Sequence, residues 1–163
     1  MKKIVIDPFD KKSIDAAIKE IEAYKTDFDK KYATFVSRLL EIGVSVAQQR
    51  FANAEYDGKN DVQVTSVQED GRAVVVAHGE TVGFIEFGTG VRYEEYDSST
   101  TEYTPPPRGS YGKGKGSNPK GWFFTLDGVP SQHTYGNPPA EAMLSARDAM
   151  IESVVRIARE VWQ

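Results

Sequence analysis

The chain has 163 residues, of which 39% are hydrophobic and 27% are charged, and it contains no cysteine. A net charge of -4 argues against a non-specific nucleic-acid binder, and the lack of cysteine excludes disulfides, thiolate metal sites and cysteine nucleophiles. The length predicts a single domain over residues 1–163 with a core that needs no covalent staples. The N-terminal MKKIVID is too weakly apolar for a signal peptide, and no apolar run approaches the ~20 residues of a membrane span.

Two long helices are predicted in the first third of the chain. From Lys12 to Tyr24, apolar residues recur at helical spacing, which predicts a helix with one buried face. Thr26 then resembles an N-cap, so a second helix is expected from there to about Ala54. This second helix carries two adjacent apolar stripes, which indicates either a central core helix or a face shared with a second subunit. The stripes are Phe28, Tyr32, Phe35, Leu39, Ile42 and Val46, and Val36, Leu40, Gly43, Ala47 and Phe51.

The middle of the chain predicts a β-hairpin. Residues 62–67 and 73–77 are rich in valine, and the Asp70-Gly71 pair between them is a strong two-residue turn signal. The following segment, Thr81 to Phe87, is consistent with either a helical turn or a strand.

Residues 88–119 are predicted to form a long flexible arm inserted into the domain. The arm has no apolar periodicity, is rich in glycine and proline, and has an acidic first half and a basic second half. Its acidic half could pair with the basic half of a neighbouring copy, and such an assembly would weaken as salt rises. Interleaved rings and cations in the arm also permit single-stranded nucleic-acid binding, which the acidic chain as a whole disfavours.

Strands are expected again at Trp122–Leu126 and Gln132–Tyr135. Asn137 is predicted to cap the last helix, with Pro138 at its first position. The apolar stripe of this helix is expected at Met143, Arg147, Met150 with Ile151, Val154, Ala158, and Val161 with Trp162. Helices segregated from antiparallel strands predict an α+β fold, in which long N-terminal helices and a C-terminal helix pack on a small antiparallel sheet.

No catalytic, cofactor or metal motif is complete. The GKGKGS run lacks the G-K-[ST] order of a phosphate loop, and FGTG lacks the second half of a dinucleotide fingerprint. His78 and His133 could share a metal with Glu86, although ordinary strand-end and surface histidines explain them better. Glu86 could be a desolvated general base, but its carboxylate is expected rather to accept backbone N–H bonds at a chain reversal, or to pair with Arg147 or another arginine. We therefore predict no enzyme activity, no cofactor and no metal.

Three motifs occur in a fixed order along the chain. They are FIEFGTG at residues 84–90, PKGWFF at 119–124 and GNPPAEAM at 136–143. With a Gly-x-x-x-Ala pattern at Gly43 to Ala47, this order resembles the tailed-phage neck, head–tail joining or tail-completion proteins of siphophages and prophages. The resemblance covers residues 12–160. It departs from the family pattern at Met143, where phenylalanine is common, and in the long, charged arm.

The resemblance implies a non-enzymatic structural protein. Its members help to join the DNA-filled head to the preformed tail, as part of a ring on the sixfold neck axis. The implied partners are other copies of the chain and the adjacent head-closure or connector, tail-terminator or tail-tube proteins, and the implied location is the virion, assembled in the bacterial cytoplasm. A tail terminator, a minor capsid component and a nucleic-acid-binding module remain as alternatives.

FIEFGTG is interpreted as a hinge and anchor. Gly88 and Gly90 would adopt positive φ at a sharp exit from the fold, Phe84, Ile85 and Phe87 would anchor that exit in the core, and Glu86 would fix it by hydrogen bonds. The residues predicted to contact other copies or partners lie in this hinge and in the arm: Phe84, Glu86, Phe87, Gly88, Gly90, Arg92, Glu94, Glu95, Tyr103, Arg108, Tyr111, Lys113 and Lys115.

Overall fold

The computed structural model describes residues 4–54, 59–69, 71–90, 120–125 and 131–163. The described elements confirm the α+β prediction, because long helices pack with two small antiparallel sheets. The elements, in chain order, are α1 (Lys11–Ala52), β1 (Gln63–Glu69), β2 (Arg72–His78), α2 (Val82–Glu86), β3 (Trp122–Phe124), β4 (Gln132–Thr134) and α3 (Ala142–Trp162).

The N-terminal helical region is one helix, so the prediction of two helices was wrong. Thr26 lies within α1 and does not cap a new helix. Its hydroxyl donates to the Glu22 carbonyl 2.9 Å away, the local bond that a threonine makes inside a helix. No proline or glycine occurs between Lys11 and Ile42, so nothing in the covalent chain stops the helix at Thr26.

The prediction of a hairpin at this position is confirmed. β1 and β2 are antiparallel, with Glu69 opposite Arg72, which leaves two residues for the turn. Gly71 has φ +74°, as a two-residue turn of this kind requires. In the second sheet β3 pairs with β4, with Trp122 opposite Thr134. The segment between the sheets that was consistent with helix or strand is the short helix α2.

The described chain divides into two compact units, Met1–Leu39 with Glu152–Gln163, and Leu40–Ile151. In the second unit, one contiguous core joins α1, β1, α2 and the start of α3. Its buried members are Ala47, Phe51, Val64, Ile85, Ala142 and Ala146. The predicted stripe through Gly43, Ala47 and Phe51 is therefore the buried face of α1.

In the first unit, α1 and the last turns of α3 meet through aromatic and charged side chains. The ring of Trp162 lies 5.3 Å from Phe35 and 6.2 Å from Phe28, measured between centroids, and Arg38 pairs with Glu160. Ala17 and Ile157 are buried. The apolar face predicted to be buried over residues 12–24 is otherwise exposed in the described structure, at Ile14, Ile18, Ile21 and Tyr24.

The last helix starts later than predicted, and only part of its predicted stripe is covered: Met143 packs against the core. It begins at Ala142, so Asn137 is not its N-cap and Pro138 is not its first residue. Its buried residues are Ala142, Ala146 and Ile157, whereas Ile151 and Val154 are exposed. The predicted stripe favoured bulky side chains, but the core at the start of this helix packs alanines closely.

Gly43 lets the side chains of β2 and α3 approach α1 closely. A β-carbon at this position would lie 2.7 Å from the Met150 sulfur and 2.8 Å from a Val75 methyl group. We expect Gly43→Val to lower the free energy of unfolding by about 2 kcal/mol, because overpacking a core forces its neighbours off their rotamers. Urea unfolding measures the change.

The matched control is Gly83→Ala. A β-carbon at Gly83, in the short helix α2, has no neighbour within 4 Å. We expect this change to be neutral or to stabilise by up to about 1 kcal/mol, because alanine favours helix over glycine. Equal losses of stability in the two variants would contradict the packing role of Gly43.

No helix among the described residues is both long enough and apolar enough to span a bilayer.

Candidate functional site

Glu86 caps the N-terminus of α3 from a distant part of the chain. Its Oε2 accepts the N–H of Ala142 at 2.7 Å and that of Met143 at 3.1 Å, and its Oε1 accepts the N–H of Leu144 at 3.4 Å. The carboxylate is buried, with the residue only 7% exposed. The predicted backbone N–H bonds are confirmed. The alternative pairing with Arg147 was wrong, because Arg147 contacts Asp148 instead.

A carboxylate suits this position for two reasons. The first N–H groups of a helix have no partner within the helix, and the N-terminal end of the helix dipole favours negative charge. The residue just before α3, Glu141, has φ +48°, a left-handed conformation that is uncommon outside glycine. Its carbonyl accepts the N–H of Ser145, which makes Glu141 the cap residue by backbone position. Glu86 supplies the acceptor to the N–H groups that follow.

A second set of bonds joins the segment after α2 to the segment before α3. Thr89 and Asn137 exchange two backbone hydrogen bonds of 3.0 and 3.1 Å, and their side chains also bond to each other. The Asn137 amide donates to the Phe84 carbonyl at 3.0 Å. The Ala140 N–H donates to the Ile85 carbonyl at 2.8 Å. We call residues 84–90 and 136–144, with these bonds, the junction.

Three glycines fit the junction by their backbone angles. Gly88 and Gly90 have φ of +72° and +71°, so the predicted positive φ at both is confirmed. Gly136 has φ +86°, and a β-carbon there would collide with the Thr89 carbonyl and lie 3.0 Å from the Trp122 ring. The same ring would lie 3.1 Å from a β-carbon at Gly90. The residues of all three sequence motifs thus meet in one place.

The anchor is more polar than the sequence indicated. Ile85 is fully buried, as expected, but Phe84 and Phe87 are 56% and 54% exposed, so the prediction that both rings enter the core was wrong. On a helix of five residues only one side can face the core, and Ile85 and Glu86 occupy it. The arm residues predicted as contacts lie outside the described residues: Arg92, Glu94, Glu95, Tyr103, Arg108, Tyr111, Lys113 and Lys115.

Asp61 is a second carboxylate that holds a helix start. It accepts the hydroxyl of Thr81 and the N–H groups of Glu80 and Thr81, at 2.8 and 3.2 Å. Thr81 is the N-cap of α2, which carries Glu86. The Thr81 hydroxyl, followed by the Glu80 N–H, holds the pKa of the Asp61 carboxyl below its ordinary value of 3.8.

We expect Asp61 to make the free energy of unfolding depend on pH in the acid range. Below its ordinary pKa of 3.8 the unfolded chain takes up the proton first, while folded Asp61 stays ionised. The stabilisation is therefore complete above that pH and is lost as the pH falls through the lower, folded pKa. We expect the free energy of unfolding of Asp61→Asn to change less with pH in this range than that of the wild type. Urea unfolding at a series of acidic pH values measures the difference.

The control for Asp61→Asn is Glu152→Gln, which removes an exposed carboxylate on α3. Glu160, whose pKa is lowered by Arg38, titrates in the same direction and stays in both variants. The difference between the two variants therefore isolates Asp61. If Asp61→Asn keeps the acid slope of the wild type, the Thr81 and Glu80 contacts do not stabilise the ionised carboxylate.

The two histidines lie in separate, local contacts. His78 shares a 3.1 Å hydrogen bond with Thr65, and His133 contacts the Lys120 carbonyl at 3.0 Å. The His133 ring also contacts the rings of Phe123 and Tyr135, with 4.8 Å between ring centroids in each pair. Within the described ranges, no group of three or more histidine, aspartate or glutamate residues is placed to hold a metal ion. The structure does not bring the histidines and Glu86 together as a metal site.

The junction joins two parts of the chain through polar groups that satisfy each other. In the described part of the chain, every buried side-chain nitrogen and oxygen has a hydrogen-bond partner. No family model, curated protein or solved structure matches this chain. The Glu86 carboxylate accepts backbone N–H groups, so it stabilises the start of α3.

Sequence reasoning missed the contacts of Thr89 and Gly136 within the junction, and it missed Asp61 as the carboxylate at the start of α2. One signal was available for the start of α3. Asn137 is followed by Pro138 and Pro139, and a residue before proline is disfavoured in the helical region, so Pro138 could not begin the helix. No local signal marks Asp61, because its partners lie about twenty residues further along the chain.

Proposed function

We propose that this chain is a non-enzymatic structural protein of a tailed-phage neck, which joins the DNA-filled head to the tail as part of a ring. One observation carries the proposal. The motifs that resemble the neck family, FIEFGTG, PKGWFF and GNPPAEAM, are separated in sequence, yet their described residues converge on the junction. Such convergence supports a shared structural purpose for the three motifs.

The junction also supports a role without catalysis. A general base needs a lone pair that can reach a substrate. Glu86 is buried and its oxygens accept three backbone N–H groups at the start of α3. Its carboxylate therefore stabilises the start of α3. The same junction holds Thr89 against Asn137 and Gly90 near Trp122.

The partners in this proposal are copies of the chain in a ring, with head-closure or connector proteins on one side and tail proteins on the other. The charge segregation of the 88–119 segment supports contacts between neighbouring copies. An assembly of this kind weakens as salt rises. A ring whose stability is independent of salt would contradict the pairing of acidic and basic halves.

Electron microscopy of lysates tests the proposed function. Deletion of the gene from the parent phage or prophage is expected to leave filled heads and separate, complete tails, and the wild-type gene supplied in trans should restore joined particles. Normal joined particles after deletion would overturn the proposal. Short or overlong tails would point to a tail terminator, and defective heads to a minor capsid component.

A Phe84→Ala gene supplied in trans separates contact from folding. Phe84 is mostly exposed, and only its backbone carbonyl enters the junction. We expect purified Phe84→Ala to unfold within about 1 kcal/mol of the wild type, and to restore joined particles poorly if this ring meets a neighbour. Steep, salt-dependent DNA affinity of the wild-type protein would instead favour the nucleic-acid-binding alternative.

A further inference from the structure

The first half of α1 carries an apolar face that follows a seven-residue repeat. Ile14, Ile18, Ile21, Lys25 and Phe28 are spaced alternately by four and three residues, and Lys25 is the one charged residue among them. This spacing is the pattern of a coiled-coil contact face, and a single lysine in such a face selects register and partner number. We name these five residues the α1 seam.

The α1 seam is largely uncovered in the described structure. Ile18 and Ile21 are 49% and 52% exposed, and Phe28 is 44% exposed although its ring is near Trp162. α3 ends at Trp162, so its last turn lies beside Phe28 at the end of the seam. Helix faces that remain apolar and exposed in this way mark interaction surfaces.

Four of the charges beside the seam complement the same segment running in the opposite direction. Lys11 begins α1 and Asp29 lies eighteen residues later, about 27 Å along the helix. Asp15 and Lys25 lie symmetrically between them. Within the described part of the chain, none of these four side chains makes an ion pair. Four charges in the order plus, minus, plus, minus are self-complementary when two copies run antiparallel.

We propose that two copies of this chain pair through antiparallel α1 seams. With the two-fold axis between Ile18 and Ile21, Ile18 of one copy faces Ile21 of the second. The same alignment brings Lys25 beside Asp15 of the second copy and Lys11 beside its Asp29. The aliphatic stem of Lys25 covers Ile14 of the second copy, and its ammonium group reaches the carboxylate of Asp15 in that copy. A parallel pair would instead place Lys25 against Lys25, so the charge order selects the antiparallel arrangement.

This pairing stands apart from the proposed neck function. A two-fold contact closes on itself and yields a dimer, whereas a ring requires head-to-tail contacts between neighbours. The dimer is thus a state of the free protein, and it shields apolar side chains that are exposed in the single chain. Failure of either proposal leaves the other intact, because one is read from particle morphology and the other from the mass of the purified protein.

Charge exchange between Asp15 and Lys25 tests the proposal in the full-length protein. Sedimentation equilibrium over a concentration series gives the mass and the dissociation constant. Lys25→Asp and Asp15→Lys each place two like-charged pairs across the two-fold axis, and each is expected to weaken the dimer about tenfold or more. The double variant D15K/K25D restores opposite charges and is expected to return the affinity to within a few-fold of the wild type.

Two further variants complete the design. Lys30→Asp makes the same charge change as Lys25→Asp outside the seam, and its dimer should remain near wild-type affinity. Ile18→Glu removes the central apolar layer and should leave a monomer, and because Ile18 is half exposed the helix content seen by circular dichroism should be unchanged. A wild-type chain that stays monomeric up to about 0.5 mM overturns the proposal. So does a dimer that neither single reversal weakens, or one that D15K/K25D fails to restore.

Discussion

Glu86→Ala is expected to lower the free energy of unfolding by about 3 kcal/mol. The change removes the acceptor of three backbone N–H groups at the start of α3 and the negative charge at that end of its dipole. It also opens a space where Glu86 is now buried. Because the N–H groups lie among packed side chains, water replaces the carboxylate poorly. Urea unfolding followed by circular dichroism measures the loss.

Two variants show whether the carboxylate or the side-chain volume matters. Glu86→Gln keeps the volume and one carbonyl acceptor, but turns an amide N–H₂ toward backbone donors, so we expect a smaller loss of about 1–2 kcal/mol. Glu80→Ala removes an exposed glutamate of the same region and should stay within about 0.5 kcal/mol of the wild type. A Glu86→Ala protein as stable as Glu80→Ala would show that α3 does not depend on this cap.

Gly136→Ala is expected to lower the free energy of unfolding by about 3–4 kcal/mol. Two effects add. An alanine at φ +86° is strained in itself, and its β-carbon would collide with the Thr89 carbonyl, which is backbone and cannot rotate away. Relief of the collision requires that Thr89 and Asn137 move apart, which breaks their two backbone hydrogen bonds. Urea unfolding detects this loss of stability.

Gly71→Ala separates these two effects. Gly71 has φ +74°, close to that of Gly136, but a β-carbon there has no neighbour within 4 Å. It therefore reports the backbone strain alone, which we expect to cost about 1 kcal/mol. The excess loss in Gly136→Ala measures the close approach of the two segments. Equal losses in the two variants would mean that Thr89 and residue 136 separate at no cost.

Glu86→Ala and Gly136→Ala cannot identify a contact with another protein in the phage experiment. Glu86→Ala and Gly136→Ala weaken the junction itself. Loss of joined phage particles with either variant would therefore follow from reduced folding. Phe84→Ala leaves the junction intact, because Phe84 takes part in it only through its backbone carbonyl, which accepts the Asn137 amide. Loss of joined particles with Phe84→Ala at wild-type stability is therefore the result that would assign this ring to a contact with another protein.

Local chemistry in the sequence determined several features of the fold. The Asp70-Gly71 pair set the register of the hairpin, because a two-residue turn leaves one way to align its strands. The glycines at 88 and 90 indicated positive φ, and the stripe through Gly43, Ala47 and Phe51 indicated the buried face of α1. Each of these follows from steric preference or periodicity within a few residues.

Contacts between residues that are distant in the sequence decided the other features of the fold. The partners of Glu86 lie 56 to 58 residues further along the chain. No local sequence pattern therefore showed whether its carboxylate would bind backbone N–H groups or Arg147. The start of α3 moved from Pro138 to Ala142 because residues 137–141 bond to residues 84–89 before the helix begins. Periodicity predicted a buried face over residues 12–24, but α3 ends beside Phe28, and Ile18 and Ile21 in those earlier turns stay about half exposed. A sequence pattern shows that a face is apolar, and only the tertiary structure shows whether another element covers it.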